Sequence, residues 1–148
     1  MLYTTIITAE KVKSTYVQEG EAQYVERMRP FMKIDFVTCS SSLSGGQAAG
    51  YAKKIPEGAF VIILDEKGKS MDSLRFSGLL RQRIDSGRNR FAFLIGPAEG
   101  FEGGTKSLGD MLWSLSPLTF PFQLCRLLVV EQLYRFLTIM QGHPYHKV

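Results

Sequence analysis

The chain has few of the residues that mark extracellular, membrane or metal-binding proteins. Its 148 residues include only two cysteines, Cys39 and Cys125, too few for a disulfide framework or a tetrahedral thiolate site. Its two histidines have no cysteine or acidic cluster close to them in sequence. The longest uncharged run, Met111 to Cys125, is interrupted by serine, threonine and proline, so it falls short of the ~20 apolar residues that span a bilayer. We expect reduced thiols, no metal and no membrane segment.

A secretion signal and a strong charge of one sign are also missing. Met1 to Thr8 lacks a basic start, a long apolar centre and a small-residue cleavage site, which favours a cytoplasmic protein. Lysine and arginine total 18 against 14 acidic residues, a net charge of +4 that permits a polyanionic partner without requiring one. A hydrophobic content of 45% is typical of globular proteins, and we expect one domain over residues 1–148.

Short apolar segments alternate with longer segments of helical periodicity, which predicts an α/β fold with a mainly parallel sheet. Strands are predicted at Leu2–Thr8, Ile34–Cys39, Ala59–Leu64 and Phe91–Ile95, and a loop at Ser40–Gly46. One helix is predicted at Tyr16–Met28, and a second from a cap at Ser70 to Ser86–Gly87. A third runs from Pro121 to about Met140, with Thr119 as a possible cap. Ala59–Leu64 is apolar throughout and is expected in the middle of the sheet. Ligands should bind beyond the carboxyl ends of the strands, near Leu64–Asp65 and Gly96–Gly100.

The last predicted helix is apolar around nearly all of its circumference, which indicates burial on several sides. A homodimer interface is the preferred explanation, because obligate interfaces resemble a core cut in half. A helix buried entirely within one chain is the alternative.

Several segments have both a functional and a structural interpretation. The Gly96–Gly100 turn could admit a ligand close to the backbone or be an ordinary turn. The stretch Trp113–Pro121 could offer backbone groups to an adenine-like ring or simply lead rigidly into the last helix. Glu131 could be a general base, although Arg135 lies four residues later, in the favourable order for a helical ion pair.

Two groups of polar side chains could bind a polyanion. The end of the chain carries His143, Tyr145, His146 and Lys147, which could stack on a base, contact phosphate or move a proton, or form a loose terminus. Arginines at positions 81, 83, 88 and 90 surround the Ser86–Gly87 turn and could grip a phosphate backbone or be solvated.

Five motifs together resemble one family. They are Leu64-Asp65-Glu66-Lys67-Gly68-Lys69, Phe93-Leu94-Ile95-Gly96, Ser114-Leu115-Ser116, Glu131-Gln132-Leu133-Tyr134-Arg135 and Pro144-Tyr145-His146-Lys147. Over essentially the whole chain, the sequence resembles the RlmH (formerly YbeA) family of bacterial SPOUT-class methyltransferases. That resemblance implies transfer of a methyl group from S-adenosyl-L-methionine to N3 of a pseudouridine in 23S ribosomal RNA, within the assembled ribosome. It also implies an α/β fold with a deep trefoil knot in the C-terminal half, and a homodimer.

The resemblance assigns roles to particular positions. Cofactor binding, largely through backbone groups, falls to Leu64, Gly96, Pro97, Leu115, Ser116, Pro117, Leu118, Thr119 and Phe120. The end of one chain is implied to reach the active site of the partner subunit. For catalysis we hypothesise that His146, or Glu131 through water, assists loss of the N3 proton while Tyr145 orients the ring. Arg126, Arg135, His143 and Lys147 are implied to contact RNA.

The chain departs from the family pattern at three places. Pro97 replaces a second glycine and removes an N–H donor, Phe122 replaces a histidine, and Ala9-Glu10-Lys11 replaces Val-Gly-Lys. Pro97 and Phe122 motivate one alternative, a non-catalytic RNA- or ribosome-binding module that kept the knot fold. A methyltransferase that acts on another RNA is a further possibility.

Overall fold

The computed structural model describes residues 1–39 and 46–147. Its elements, in chain order, are β1 (Leu2–Thr8), α1 (Thr15–Met28), β2 (Met32–Thr38), α2 (Gly46–Lys54), β3 (Phe60–Ser70), α3 (Ser73–Asp85), β4 (Arg90–Ile95), a 3-10 turn (Thr105–Leu108), β5 (Met111–Ser114) and α4 (Phe122–Met140). The four predicted strands and three predicted helices are all present. Helix α2 and strand β5 were not predicted, and the predicted loop before α2 lies, except for Gly46, outside the described residues.

The five strands form a parallel sheet in the order β2-β1-β4-β3-β5. The larger core, which includes Phe76, Val130 and Phe136, lies between one face of the sheet and helices α1, α3 and α4. The smaller core, which includes Ile7 and Tyr51, lies on the face covered by α2 and the 3-10 turn. The α/β fold class is confirmed. The prediction that β3 is the middle strand was wrong, because β5 adds outside β3 and leaves β4 at the centre.

Strand β3 contains a wide bulge where it leaves the core. Leu64 and Lys69 both pair with Trp113 of β5, so the four residues Asp65–Gly68 are displaced from the ladder. A Cβ at Gly68 would lie 2.7 Å from the backbone carbonyl carbon of Leu112, so only glycine fits there without moving β5. The bulge carries Asp65 and Glu66 to the carboxyl end of the sheet.

Two predicted helix caps were wrong. Ser70 is the last residue of β3, and the Asp72 carboxylate instead caps α3 by accepting from the Arg75 backbone N–H at 2.8 Å. Thr119 is not the cap of α4, since Pro121 directly precedes the helix and the Thr119 hydroxyl donates to Glu66.

Helix α4 is packed on most of its surface by its own chain. Every side chain from Phe122 to Met140 is buried or half-buried, and Val129, Val130, Leu133 and Phe136 are completely buried. Contacts with α1, α3 and the sheet therefore cover much of the apolar surface that suggested a second subunit. The homodimer and the knot stay predictions. None of the helices over residues 1–39 and 46–147 has the length and hydrophobicity needed to cross a bilayer.

Candidate active site

A cavity of about 700 Å³ lies at the carboxyl end of the sheet, where the sequence predicted a ligand site. The ends of β3 and β4 form one side, and the segment between β5 and α4 forms the other. The lining residues are Leu64–Glu66, Ile95–Phe101, Lys106, Trp113, Leu115, Ser116, Leu118–Phe122 and Cys125.

The residues implied to bind a cofactor converge on this cavity. Leu64, Gly96, Pro97, Leu115, Ser116, Leu118, Thr119 and Phe120 all line it, and Pro117 is the only member of the implied set that does not. Hydrogen bonds within the segment hold its shape: the Ser114 hydroxyl donates to the Ser116 carbonyl at 3.0 Å, and the Leu118 N–H donates to the Ser116 hydroxyl at 3.0 Å. Side chains far apart in sequence thus form a single pocket.

Gly96, directly after β4, lines the pocket and lies against Phe101. A Cβ at Gly96 would lie 3.1 Å from the ring of Phe101, so the missing side chain makes room for that ring. Phe101 in turn packs against Tyr51, with ring centroids 5.6 Å apart. The Gly100 N–H donates to the Pro97 carbonyl at 2.8 Å and closes the turn.

Two polar contacts join the bulge in β3 to the opposite sides of the cavity. Lys106 Nζ lies 2.8 Å from a carboxylate oxygen of Asp65, and the Lys67 N–H donates to the other oxygen at 3.0 Å. The hydrogen bond from Lys106, then that from Lys67, lowers the pKa of Asp65, which is therefore ionised at neutral pH. On the other side, the Thr119 hydroxyl donates to Glu66 at 2.7 Å.

Sequence reasoning missed the lining residues Phe101, Lys106 and Cys125. Lys106 lies in an unpredicted turn, whereas Asp65 and Trp113 stand in segments where a ligand was expected. Trp113 stacks on Phe76 with centroids 4.1 Å apart, and its buried indole N–H has no partner among the described residues. Burial raises the pKa of the Cys125 thiol, which therefore stays protonated.

A second polar cluster lies along α4 and residues 143–147, which we call the tail. Glu131 accepts from Arg135 Nε at 2.9 Å and from the Tyr145 hydroxyl at 3.1 Å. Arg135 also contacts His146 Nδ1 at 2.9 Å and lies 4.8 Å above the Tyr145 ring. The structural interpretation of Glu131 and Arg135 as a helical ion pair is confirmed, with a closest contact of 2.7 Å.

Tyr145 is held as a hydrogen-bond donor in this cluster. Partial burial, the nearby Tyr24 hydroxyl and the Glu131 carboxylate raise its pKa above the ordinary value for tyrosine. Its ring also packs edge-on against Tyr134, with centroids 4.7 Å apart. The phenol therefore stays protonated across the neutral and mildly alkaline range.

The structure does not bring the tail cluster and the cavity together within one chain. Glu131, Tyr145 and His146 are absent from the cavity lining, which reaches along α4 only to Cys125. The remaining residues implied to bind RNA lie elsewhere: His143 and Lys147 are exposed in the tail, and Arg135 belongs to the cluster.

Arg126 differs from the other residues implied to bind RNA. Its side chain is only 9% exposed and contacts Glu21 of α1 through two hydrogen bonds, at 2.6 and 2.8 Å. It also lies 4.2 Å above the ring of Phe36. Since its guanidinium is largely buried and already paired with Glu21, Arg126 joins two helices in this conformation.

No group of three or more histidine, cysteine, aspartate or glutamate side chains suited to a metal ion occurs in the described part of the chain.

Comparison with known proteins connects this architecture to a family. The family model described as a predicted SPOUT methyltransferase matches residues 2–146. Proteins named "Ribosomal RNA large subunit methyltransferase H" from Desulforamulus reducens and Streptococcus agalactiae are 32% and 36% identical to the chain. The first alignment covers 99% of this chain and 100% of the relative, and the second covers 96% and 98%.

Solved structures agree on the fold. A probable methyltransferase from Bordetella pertussis superposes with a TM-score of 0.54 at 12% identity, covering 91% of this chain and 95% of the other. The nearly full-length family match and the close curated relatives establish that this chain belongs to the SPOUT methyltransferases and, within them, to the RlmH family.

Proposed function

We propose that the protein transfers a methyl group from S-adenosyl-L-methionine to N3 of a pseudouridine in 23S ribosomal RNA, within the assembled ribosome. The observation that carries this proposal is the convergence of the implied cofactor residues on one cavity at the carboxyl end of the sheet. The relatives named as large-subunit ribosomal RNA methyltransferases support the choice of substrate. Because the proposed substrate is ribosomal RNA, we also propose that the protein acts in the cytoplasm.

The cavity suits this cofactor in size and chemistry. Small-molecule sites enclose ~300–1,000 Å³ and combine apolar walls with a few placed polar groups. Here Leu115, Phe120 and Trp113 supply apolar and aromatic surface for a flat ring, and the carboxylates of Asp65 and Glu66 favour a ligand with positive charge. When bound, S-adenosyl-L-methionine supplies a methyl group on a cationic sulfur.

The protein's part in methyl transfer is mainly positioning. An in-line displacement needs its reacting atoms aligned, and alignment alone can account for roughly 7–11 kcal/mol of the barrier. Leu64 and the segment from Leu115 to Phe120 would hold the donor against the sheet, while the loop after β4 would limit access of water.

The tail cluster suggests how the pseudouridine is handled. Arg135 can only donate, so Nδ1 of His146 accepts, and a neutral His146 therefore carries its proton on Nε2. We propose that this N–H stabilises the negative charge that forms on the uracil carbonyls as the N3 proton passes to water and N3 takes the methyl group. Glu131 already accepts from Arg135 and Tyr145, so its proposed role is to hold these side chains rather than to act as the base.

A homodimer would allow the cavity and the tail cluster to serve one reaction. They are separate within a chain, so we propose that the tail of one subunit completes the cavity of its partner, with Tyr145 and His146 facing the base. Arg135, His143 and Lys147 would then lie beside the RNA. Arg126 is omitted from this set because it is buried against Glu21.

Transfer of a labelled methyl group to ribosomes that lack the modification tests the proposal. We expect label on a single 23S pseudouridine, located by mass analysis of RNA fragments. Label on a different RNA would favour the other-substrate alternative. Calorimetric titration with S-adenosyl-L-methionine separates the remaining alternative, since a non-catalytic module that had lost its cofactor would give no saturable heat.

A matched pair of variants tests whether the cavity holds the cofactor. Leu115→Trp should fill the cavity and abolish the saturable heat, whereas Leu74→Trp, on the 46%-exposed Leu74 of α3, should leave it unchanged. Equal cofactor affinity in the two variants would place the cofactor elsewhere.

A further inference from the structure

We propose a second RNA-binding surface at the amino end of the sheet, away from the cavity. Its members are Tyr3, Lys33, Arg88 and Arg90, which we call the amino-end row. The chemistry it would recognise is the phosphate backbone of RNA. This inference rests on the proposed function for the identity of that RNA, which would be ribosomal.

Strand register lines these side chains up. Tyr3 of β1 pairs with Lys33 of β2 on one side and with Arg90 of β4 on the other. Residues paired in a parallel sheet project from the same face, and adjacent strands are ~4.8 Å apart, so the two cations flank Tyr3 across ~10 Å. Arg88 extends the row towards β3, where its Nη1 donates to the Gly58 carbonyl at 3.4 Å.

This half of the sheet face is open. Helix α2 packs on the same face, but the Tyr51 hydroxyl of α2 donates to the Ile95 carbonyl at the carboxyl end of β4, which places this part of the helix over the other half. Lys33, Arg88 and Arg90 are correspondingly exposed. A polyanion could therefore reach all three cations at once.

Among the described residues, the cations of the row have no carboxylate partner, unlike the exposed Arg29 and Arg81. Over residues 1–39 and 46–147, no carboxylate lies within ion-pair distance of Lys33, Arg88 or Arg90. By contrast, Arg29 is paired with Glu26 at 2.8 Å and Arg81 with Asp85 at 3.2 Å. Two exposed acids lie near the row and lower its charge only in part: Asp35, two residues after Lys33 on β2, and Glu57, which precedes Gly58.

The aromatic ring gives the row a preference for phosphate. The Arg90 guanidinium lies 4.9 Å above the Tyr3 ring, so its plane is held against a rigid support. A guanidinium stacked in this way keeps its N–H edge for two-point contact with phosphate oxygens. Ordered cations at strand spacing are suited to a regular chain of phosphates.

Salt-dependent binding of the full-length protein to an RNA duplex of about 20 base pairs is the first test. We expect the Arg88→Gln/Arg90→Gln variant to bind more weakly. The slope of log affinity against log salt concentration should become shallower by about two, because each lost phosphate contact reduces it by about one. Adding Lys33→Gln should lower the slope further. Tyr3→Leu keeps all charges but removes the support for Arg90, and should give a smaller loss.

The matched control is Arg29→Gln/Arg81→Gln, which removes the same charge from arginines that already have partners. It should leave the slope near that of the unchanged chain, and thermal unfolding should show that all variants fold. With ribosomes, the Arg88→Gln/Arg90→Gln variant should raise KM and leave kcat and cofactor affinity unchanged. An equal slope in the two double variants, or an unchanged KM, would overturn the proposal.

The same experiment separates this inference from the proposed function. If the unchanged chain methylates no ribosomal RNA but the two double variants still differ on the duplex, the methylation proposal fails and the row stands. If methylation occurs and the double variants behave alike, the opposite holds.

Discussion

Helix α4 carries two arginines that each pair with a glutamate, and the two pairs differ in burial and in their other contacts. Arg126 pairs with Glu21 of α1, and their side chains are 9% and 4% exposed. Arg135 pairs with Glu131 four residues earlier on the same helix, and these side chains are 25% and 16% exposed. The ring of Phe36 covers Arg126 of the first pair, whereas the second pair makes further hydrogen bonds, to Tyr145 and His146 of the tail.

The contrast shows that location decides what an ion pair does. A sealed pair joins two helices, and removing one partner leaves a buried charge without compensation. Disturbing a partly exposed pair changes the free energy of unfolding little, but such a pair can hold another segment of the chain in place. We therefore expect changes at the first pair to alter stability and changes at the second to alter methyl transfer.

The largest effect is expected from Arg126→Met, which strands the Glu21 carboxylate. We expect a loss of about 3–5 kcal/mol in the free energy of unfolding, measured by urea denaturation. Glu21→Leu/Arg126→Met should recover most of this loss, because an apolar pair replaces the ionic one. Arg29→Gln, at a surface pair, is the control and should change stability by less than ~1 kcal/mol. A small loss for Arg126→Met would mean that Glu21 finds another partner or water.

The next effect is expected from Glu131→Gln, which weakens the hold on Arg135 and Tyr145. We expect single-turnover methyl transfer to fall by about 10- to 100-fold with cofactor affinity unchanged, because a small misplacement of positioning groups has effects of this size. A positioning role leaves the shape of the pH–rate profile intact, whereas loss of a general base removes its acidic limb. The latter result would restore Glu131 as the base. Glu26→Gln is the matched control on an exposed pair.

An alkaline titration followed by ultraviolet absorbance should show a tyrosine that ionises late. Burial, Tyr24 and Glu131 raise the pKa of Tyr145, so its tyrosinate should form above the ordinary tyrosine pKa of about 10. A raised pKa means that docking of the tail is fully stabilised below the ordinary tyrosine value of about 10 and weakens as the pH rises through the raised value. Tyr145→Phe assigns the signal, and Glu131→Gln should shift it towards lower pH. An unshifted Tyr145 would show that the cluster is open in solution.

The smallest effect is expected from Arg135→Lys, which keeps the charge but loses the planar contacts with Glu131, His146 and the Tyr145 ring. We expect a two- to fivefold fall in kcat, about 0.4–1 kcal/mol, with no measurable change in stability. A loss as large as that of Glu131→Gln would show that the arginine, rather than the carboxylate, holds the tail.

Sequence patterns predicted the elements with strong periodicity and missed those formed by tertiary contacts. The apolar runs of β3 and β4 were clear, because strands buried on both faces need no polar alternation. Strand β5 is four residues long and exists because it pairs with β3 on both sides of the bulge, a contact with no local signal. Helix α2 is short and rich in small residues, so it has little periodic apolar pattern.

In the candidate site too, residues in local motifs could be predicted and those placed by tertiary contacts could not. The resemblance identified eight of the cavity's lining residues, because these lie in contiguous motifs. It did not separate Arg126 from Arg135, since both are arginines on one helix and only the packing of α1 and β2 against Arg126 buries it. Lys106 had no signal, because its partner Asp65 is 41 residues away in sequence and the two meet only in the fold.

Gly68 determines what can vary at the cavity and what cannot. Its missing side chain leaves room for the backbone of β5, which would lie within 3 Å of a Cβ at this position, and the bulge that carries Asp65 and Glu66 depends on that room. Both acids stand on residues displaced from the ladder, so the sheet does not need their side chains. The shape of this rim therefore depends on a residue with no functional group, whereas its charge depends on two acids that the fold itself does not require.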